Sequence, residues 1–246
     1  MLKEVRGGRN IYGEVIGIMM IERRFPRIPG EMGNATTFDF PVRLHVVKGV
    51  DISTRLKMFA GGEEFIQPFV QAAKELERIG VRAITTNCGF LVLYQDIIAD
   101  AVNIPVFMSS LLQIPLVYRM LRKDQKVGII TAEGSEKGLG KKHLEAAGAG
   151  HVPVVIVGME TSEAFKGISQ DREVLYPEQL RDDIVAIAKR LVDKNPDIGA
   201  LVLECANLPP YGKFIQEAVN LPVFDFLTLT QMVYAAVVKR EYHGLM

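Results

Sequence analysis

Cysteine is scarce in this chain: only Cys88 and Cys205 occur among 246 residues, and they form no CxxC pair. A zinc site with the usual ligand spacing is therefore not expected, and we expect no bound metal. In a reducing compartment both cysteines should be free thiols. The histidines are equally few and scattered, namely His45, His143, His151 and His243.

A surplus of charge of either sign is also missing, because 29 Lys and Arg residues balance 29 Asp and Glu residues. Without a basic surplus, a nucleic acid is not an expected partner. The charged amino terminus lacks the apolar core of a signal peptide, and no apolar run approaches the roughly 18 residues that a membrane span needs. We expect a cytoplasmic protein without a membrane partner, and the sequence leaves a homo-oligomer open.

Three common catalytic signatures are absent. The chain has no GxxxxGK[ST] motif and no GxGxxG after a strand, so the standard phosphate-binding loops are missing. It has no GxSxG motif, which removes the commonest signature of a serine hydrolase. Dependence on a nucleotide is therefore not indicated.

Short β-branched runs alternate with longer amphipathic segments, which predicts parallel α/β units. Helices are predicted at 62–79 and 178–194, where apolar residues recur at helical spacing with charges opposite. The runs that we interpret as strands are EVIGIMMI, VRLHVV, VRAITT, VGIIT, VPVVIV and ALVLE.

The sequence contains an internal repeat. Residues 83–107 align without a gap on residues 200–224, and 11 of the 25 pairs are identical, with Cys88 falling on Cys205. Two similar α/β lobes related by a pseudo-twofold axis are therefore predicted, each a parallel sheet flanked by helices, with the active site between them. We place the first lobe at residues 1–112, joined by a carboxyl-terminal helix at 227–246, and the second at residues 113–226.

Each cysteine follows a predicted buried strand, at the end where ligands of open α/β sheets bind. Two like groups on opposite sides of a cleft suit a reaction in which a proton leaves one face of a carbon and arrives at the other. Backbone N–H groups at a helix start would lower the thiol pKa, whereas burial would raise it. The alternative is that both cysteines only fill space in the core, because free cysteine is among the most buried residue types.

TTNCGF around Cys88 and LECANLPPY around Cys205 resemble the two cysteine motifs of the aspartate/glutamate/hydantoin racemase superfamily. PGEMGNAT and GIITAEGS are similar to its two glycine-rich loops. The resemblance implies two lobes related by a pseudo-dyad, no cofactor, and Cys88 and Cys205 as an acid/base pair that inverts the α-carbon of an amino acid, a hydantoin or a related carbon acid. The small-molecule partner would be a carboxylate or hydantoin substrate.

The resemblance also implies a set of substrate-binding residues, some of which would donate hydrogen bonds to a carboxylate or enolate oxygen. Asn87 and Asn207 have an alternative role as ordinary turn residues. Arg23, Arg24 and Arg27 are candidates to clamp a carboxylate, and we select Arg24. The whole substrate-binding set is Asn87, Gly89, Ala206, Asn207, Thr131, Ser135, Pro29, Gly30 and Arg24.

Departures from the family pattern bear on the substrate. Glu204 stands where the family commonly has a small residue, and Ala206 and Asn207 replace the threonine and histidine typical of glutamate racemases. Other activities stay open within the superfamily: an arylmalonate-type decarboxylase, which would need one cysteine, or a maleate-type cis-trans isomerase. From another class, the chain would be a non-catalytic small-molecule binding protein.

Overall fold

All six predicted strands are present, together with two short strands that the sequence pattern did not reveal. The computed structural model describes residues 4, 7–135 and 138–245. The strands are β1 (Ile16–Glu22), β2 (Val42–Asp51), β3 (Ala83–Thr86), β4 (Val106–Phe107), β5 (Lys126–Thr131), β6 (Val154–Gly158), β7 (Ile198–Leu203) and β8 (Val223–Phe224).

The strands form two four-stranded sheets, both parallel throughout. The first has the order β2-β1-β3-β4 and the second the order β6-β5-β7-β8, so the two sheets have the same topology. The two-lobed α/β fold is therefore confirmed. In each sheet the strand that precedes a cysteine, β3 or β7, pairs on both sides, which explains why these strands are buried along their length.

Helices cover the faces of both sheets. The predicted helix at 62–79 is α-helical only from Ile66, after a 3₁₀ turn at Glu63–Phe65, and it ends where Gly80 adopts a left-handed φ of 108°. The helices are α1 (Arg55–Phe59), α2 (Ile66–Ile79), α3 (Gln95–Asp100), α4 (Ile114–Met120), α5 (Lys141–Ala146), α6 (Glu163–Ser169), α7 (Pro177–Lys194), α8 (Gly212–Val219) and α9 (Phe226–Val237).

The lobes exchange one helix each. Helix α4 follows the first sheet in sequence, yet Leu111 and Ile114 pack with Val127 of the second sheet. Helix α9 follows the second sheet, yet Phe226 and Leu229 pack with strand β1 of the first. The exchange buries apolar faces from both halves and ties the lobes together.

The carboxyl-terminal helix is shorter than the predicted 227–246. It ends at Val237, and residues 239–245 are exposed without a helical apolar face that could pack on the first sheet. Residues 1–3, 5, 6, 136, 137 and 246 of the predicted lobe ranges lie outside the described residues, and the lobe boundaries stay a prediction. In the part of the chain that the structure describes, no helix combines the length and apolar character needed to cross a membrane.

Candidate active site

Cys88 and Cys205 line the same cavity between the lobes. Each cysteine follows its central strand by two residues, at the carboxyl end of the sheet. Because both lobes have one topology and face each other at these ends, the repeat brings its two thiols to one place. Both are free cysteines. The cavity encloses about 590 Å³, counting the space open to solvent at its mouth.

The loop that carries Cys88 is fixed by hydrogen bonds to its neighbours. Thr86 Oγ1 accepts from the Cys88 backbone N–H at 3.2 Å and donates to the Met108 carbonyl at 2.9 Å. Asn87 Oδ1 accepts from the Ile21 N–H at 3.0 Å, so Asn87 both lines the cavity and ties β3 to β1. The thiol of Cys88 is thus held on a rigid loop.

Asn207 orients the second thiol. Its side-chain Nδ2 donates to Cys205 Sγ at 3.2 Å, a contact that favours the thiolate over the thiol. The side-chain oxygen of Asn207, Oδ1, is buried and has no hydrogen-bond partner among the described residues. Asn207 therefore contacts a catalytic candidate directly and still has an acceptor to offer.

Glu204 also lines the cavity. In the sequence it stood out only as a departure from the family pattern. Its Oε2 accepts from Thr131 Oγ1 at 2.7 Å and from the Ala132 N–H at 3.4 Å, whereas the other oxygen, Oε1, has no hydrogen-bond partner among the residues that the structure describes. A Cβ at position 89 would collide with this carboxylate and with the Glu204 carbonyl. Gly89 is thus required by the close approach of Glu204, a second-lobe residue, to the first lobe.

Burial dominates the electrostatics of the site. Desolvation raises the pKa of Glu204 from 4.5 to about 7. Desolvation, followed by repulsion from Glu204, raises the pKa of Cys205 to about 12 and raises that of Cys88 well above its ordinary value. The expected lowering of the thiol pKa by a helix start is outweighed, so both thiols are neutral in the empty cavity at neutral pH.

The rest of the cavity wall is largely apolar and aromatic. Phe59 stacks on Phe90 with ring centroids 4.2 Å apart, and the two rings extend across the lobe boundary toward His143. The full lining comprises Ile21, Arg23, Phe25, Asp51, Met58, Phe59, Asn87, Cys88, Gly89, Phe90, Ala132, Phe165, Ile168, Ser169, Glu204, Cys205 and Asn207.

Arg23, rather than the predicted Arg24, reaches the cavity. The Arg24 side chain is 74% exposed and pairs with Glu173 at the surface, and it is not among the residues that line the cavity. The Arg23 side chain is only 11% exposed, and its Nε donates to Asp171 Oδ1 at 3.0 Å. Asp171 belongs to the second lobe and also accepts from the Arg24 and Phe25 backbone N–H groups, so it fixes the end of β1.

Of the other predicted substrate-binding residues, five lie outside the cavity wall. Thr131 acts through Glu204, and Ala206 is buried in the core against α9. Ser135 lies on an exposed loop beyond β5, and Pro29 is exposed on a turn. Gly30 has a φ of 96° and packs against Pro210, so this glycine serves the contact between the lobes. Asn87, Gly89 and Asn207 do line the cavity.

The sequence profile of the family described as Asp/Glu/Hydantoin racemase matches residues 35–230, which is most of the chain. The chain belongs to this family. The match includes both cysteine loops and Glu204. Solved structures share the fold: an unliganded arylmalonate decarboxylase has a TM-score of 0.57 at 13% identity, covering 93% of this chain and 94% of its own. The aspartate racemase of Picrophilus torridus has a TM-score of 0.55 at 14% identity, covering 94% and 96%.

Relatives with higher identity are named as lyases. The dimethylsulfoniopropionate lyase of Durusdinium sp. clade D is 30% identical over 244 residues, covering 96% of this chain and 79% of its own length. Dimethylsulfoniopropionate lyase 7 of Emiliania huxleyi is 30% identical over 241 residues, covering 94% and 69%. This chain is therefore an enzyme of the racemase superfamily whose named relatives are lyases, not isomerases. Within the described ranges no cluster of three His, Cys, Asp or Glu side chains suits a metal ion.

The pair formed by Asp171 and Arg23 should stabilise this member of the racemase family. Replacing Asp171 by Asn leaves the cavity-lining Arg23 without its counter-ion, and we expect the free energy of unfolding to fall by about 2 kcal/mol. Replacing Arg24 by Gln, which removes an exposed pair, should change it by less than about 0.5 kcal/mol. Urea denaturation measures the free energy of unfolding of both variants. Equal decreases in the two variants would contradict the assignment of Arg23 as the buried partner of Asp171.

Proposed function

We propose that this enzyme is a lyase that acts on dimethylsulfoniopropionate or a close sulfonium analogue. The main support for this proposal is the 30% identity to a dimethylsulfoniopropionate lyase, in an alignment that covers 96% of the chain. The likeness to racemases and decarboxylases, at 13–14% identity, speaks for the fold alone. The site chemistry supports the proposal independently.

The proposed reaction begins with the step that a racemase also performs, removal of a proton from the carbon next to a carboxylate. In dimethylsulfoniopropionate the next carbon carries the sulfonium group. A thiolate takes the α-proton, the C–H electron pair forms the double bond, and the C–S bond breaks with its electrons going to sulfur. The products are dimethyl sulfide, acrylate and a protonated thiol, which must lose its proton before the next turnover.

The charges in the cavity suit a cationic substrate. An unpaired anion at Glu204 disfavours a second anion at Cys88 or Cys205, but a sulfonium cation among these groups would favour ionisation of them all. Phe59, Phe90 and Phe165 offer aromatic surface, which attracts cations through the ring quadrupole. Arg23 is the cavity cation that would meet the substrate carboxylate.

The proposal is tested by incubating the purified enzyme with dimethylsulfoniopropionate and measuring dimethyl sulfide in the headspace and acrylate by NMR. We expect the two products in equal amounts. The same NMR run in heavy water with aspartate, glutamate and hydantoins reports exchange of the α-hydrogen. Absence of dimethyl sulfide together with stereochemical inversion of one of those compounds would contradict the lyase proposal.

A cofactor-independent racemase is the second candidate, and the observation that favours it is the pair of thiols in one cavity. An elimination needs one base, whereas inversion uses one on each face. A decarboxylase would also need only one of the two cysteines, and the likeness to arylmalonate decarboxylase, at 13% identity, supports the fold and not the activity. Glu204 weighs against aspartate or glutamate as a substrate, because its carboxylate would repel a second anionic group.

A further inference from the structure

Only one of the two carboxyl oxygens of Glu204 accepts hydrogen bonds from the described residues. Thr131 and Ala132 both donate to Oε2, which fixes the orientation of the carboxyl plane and leaves Oε1 without a partner. The side chain is fully buried, and it lines the cavity that holds both cysteines. A buried carboxylate oxygen without a hydrogen bond or counter-ion is costly, so a native protein keeps one where a ligand will use it.

Within the described ranges, no cation neutralises this group. Among the described residues Glu204 forms no salt bridge, and the groups that lower its pKa are hydrogen-bond donors rather than charges. Arg23, the cation in the cavity wall, is engaged by Asp171. The other carboxylate of the wall, Asp51, also accepts two hydrogen bonds on one oxygen, both from Ser53, but it is only partly buried, whereas Glu204 is fully buried. Glu204 is thus the unpaired acid of the cavity.

The position of the group excludes a merely structural explanation. Gly89 makes room for the Glu204 carboxylate, since any side chain at position 89 would collide with it. An apolar or amide side chain at position 204 would fill this space without the penalty of a buried charge. The fold therefore accommodates a carboxylate beside both thiols, at the expense of their ionisation.

We propose that Glu204 is the specificity-determining residue of the cavity: its carboxylate is the counter-ion for an onium group of the substrate, with Phe59 and Phe90 supplying the surrounding aromatic surface. This inference rests on the proposed function, which supplies the sulfonium group as the onium cation. The enzyme selects a zwitterion with a cationic end over a neutral-ended carboxylate of the same shape.

The test compares two unreactive ligands of matched shape, N,N-dimethyl-β-alanine, which is cationic at its amine end at neutral pH, and isocaproate, which has an uncharged branched end. Calorimetry at neutral pH with the wild-type enzyme should give about tenfold or tighter binding of the cationic ligand. In Glu204→Gln, which keeps the size of the side chain and removes its charge, the two dissociation constants should become equal within about twofold. Glu178→Gln, an exposed residue at the start of α7, is the matched control and should retain the full preference.

The outcomes separate this inference from the proposed function. A preference retained in Glu204→Gln, or a wild-type enzyme that binds both ligands equally or neither, overturns the role of Glu204. Dimethyl sulfide release with unchanged KM in Glu204→Gln would also overturn it while leaving the lyase intact. Conversely, a Glu204-dependent cation preference in an enzyme that releases no dimethyl sulfide supports the onium site and rejects the lyase. Circular dichroism of each variant confirms that it is folded.

Discussion

Replacing Cys205 by serine is expected to slow the release of dimethyl sulfide by about 10²- to 10⁴-fold, the range that a positioned general base contributes. A hydroxyl is far less acidic than a thiol and cannot supply an anion at neutral pH. We assign the base to Cys205 because Asn207 donates a hydrogen bond to its sulfur, which stabilises the thiolate formed when a cation enters. The measurement is kcat with dimethylsulfoniopropionate.

The matched variant is Cys88→Ser, which changes the equivalent residue of the repeat. An elimination uses a single base, so the two serine variants should lose activity unequally, with the smaller loss in Cys88→Ser. A two-base racemase would instead lose inversion in both variants alike. Full activity of Cys205→Ser would show that its thiol is not the base. Binding of isocaproate, which needs neither thiol, reports whether each cavity is intact.

The fold was predictable from the sequence because its main signals are local. A buried parallel strand is a β-branched run, and all six such runs are strands. The sequence pattern did not predict the short strands β4 and β8, because a two-residue strand has no periodicity. Both strands nevertheless lie inside the repeat.

The site was predictable where the repeat constrained it and not elsewhere. Duplication marked Cys88 and Cys205 as equivalent, and their shared topology brings both to one cavity. The choice between Arg23 and Arg24 depends on the direction of β1 at its end, which Asp171 fixes from the other lobe. The unpaired oxygen of Glu204 results from packing between the lobes, and its only sequence signal was an unexpected glutamate beside a cysteine.

Glu204 should make the stability of the empty enzyme fall as the pH rises. Burial raises its pKa to about 7 in the folded protein, above the ordinary value of 4.5 that the unfolded chain retains. Between these values the folded protein holds a proton that the unfolded chain has lost, so the free energy of unfolding decreases with pH. Below about 4.5 and above about 7 the two states bind equal numbers of protons at this site, and its contribution is constant.

The expected loss is about 3 kcal/mol across this window, since each pKa unit corresponds to about 1.4 kcal/mol. Glutamine cannot titrate, so Glu204→Gln should gain stability relative to the wild type by about that amount between about pH 5 and about pH 8, whereas Glu178→Gln should track the wild type. Urea denaturation at both pH values measures the difference, and a constant offset would contradict a buried, uncompensated carboxyl. Because a cationic ligand would complete the ionisation of Glu204, its binding near pH 7 should release more protons to the buffer in the wild type than in Glu204→Gln. The same carboxyl group would then account for the stability of the empty site and for its preference for a cation.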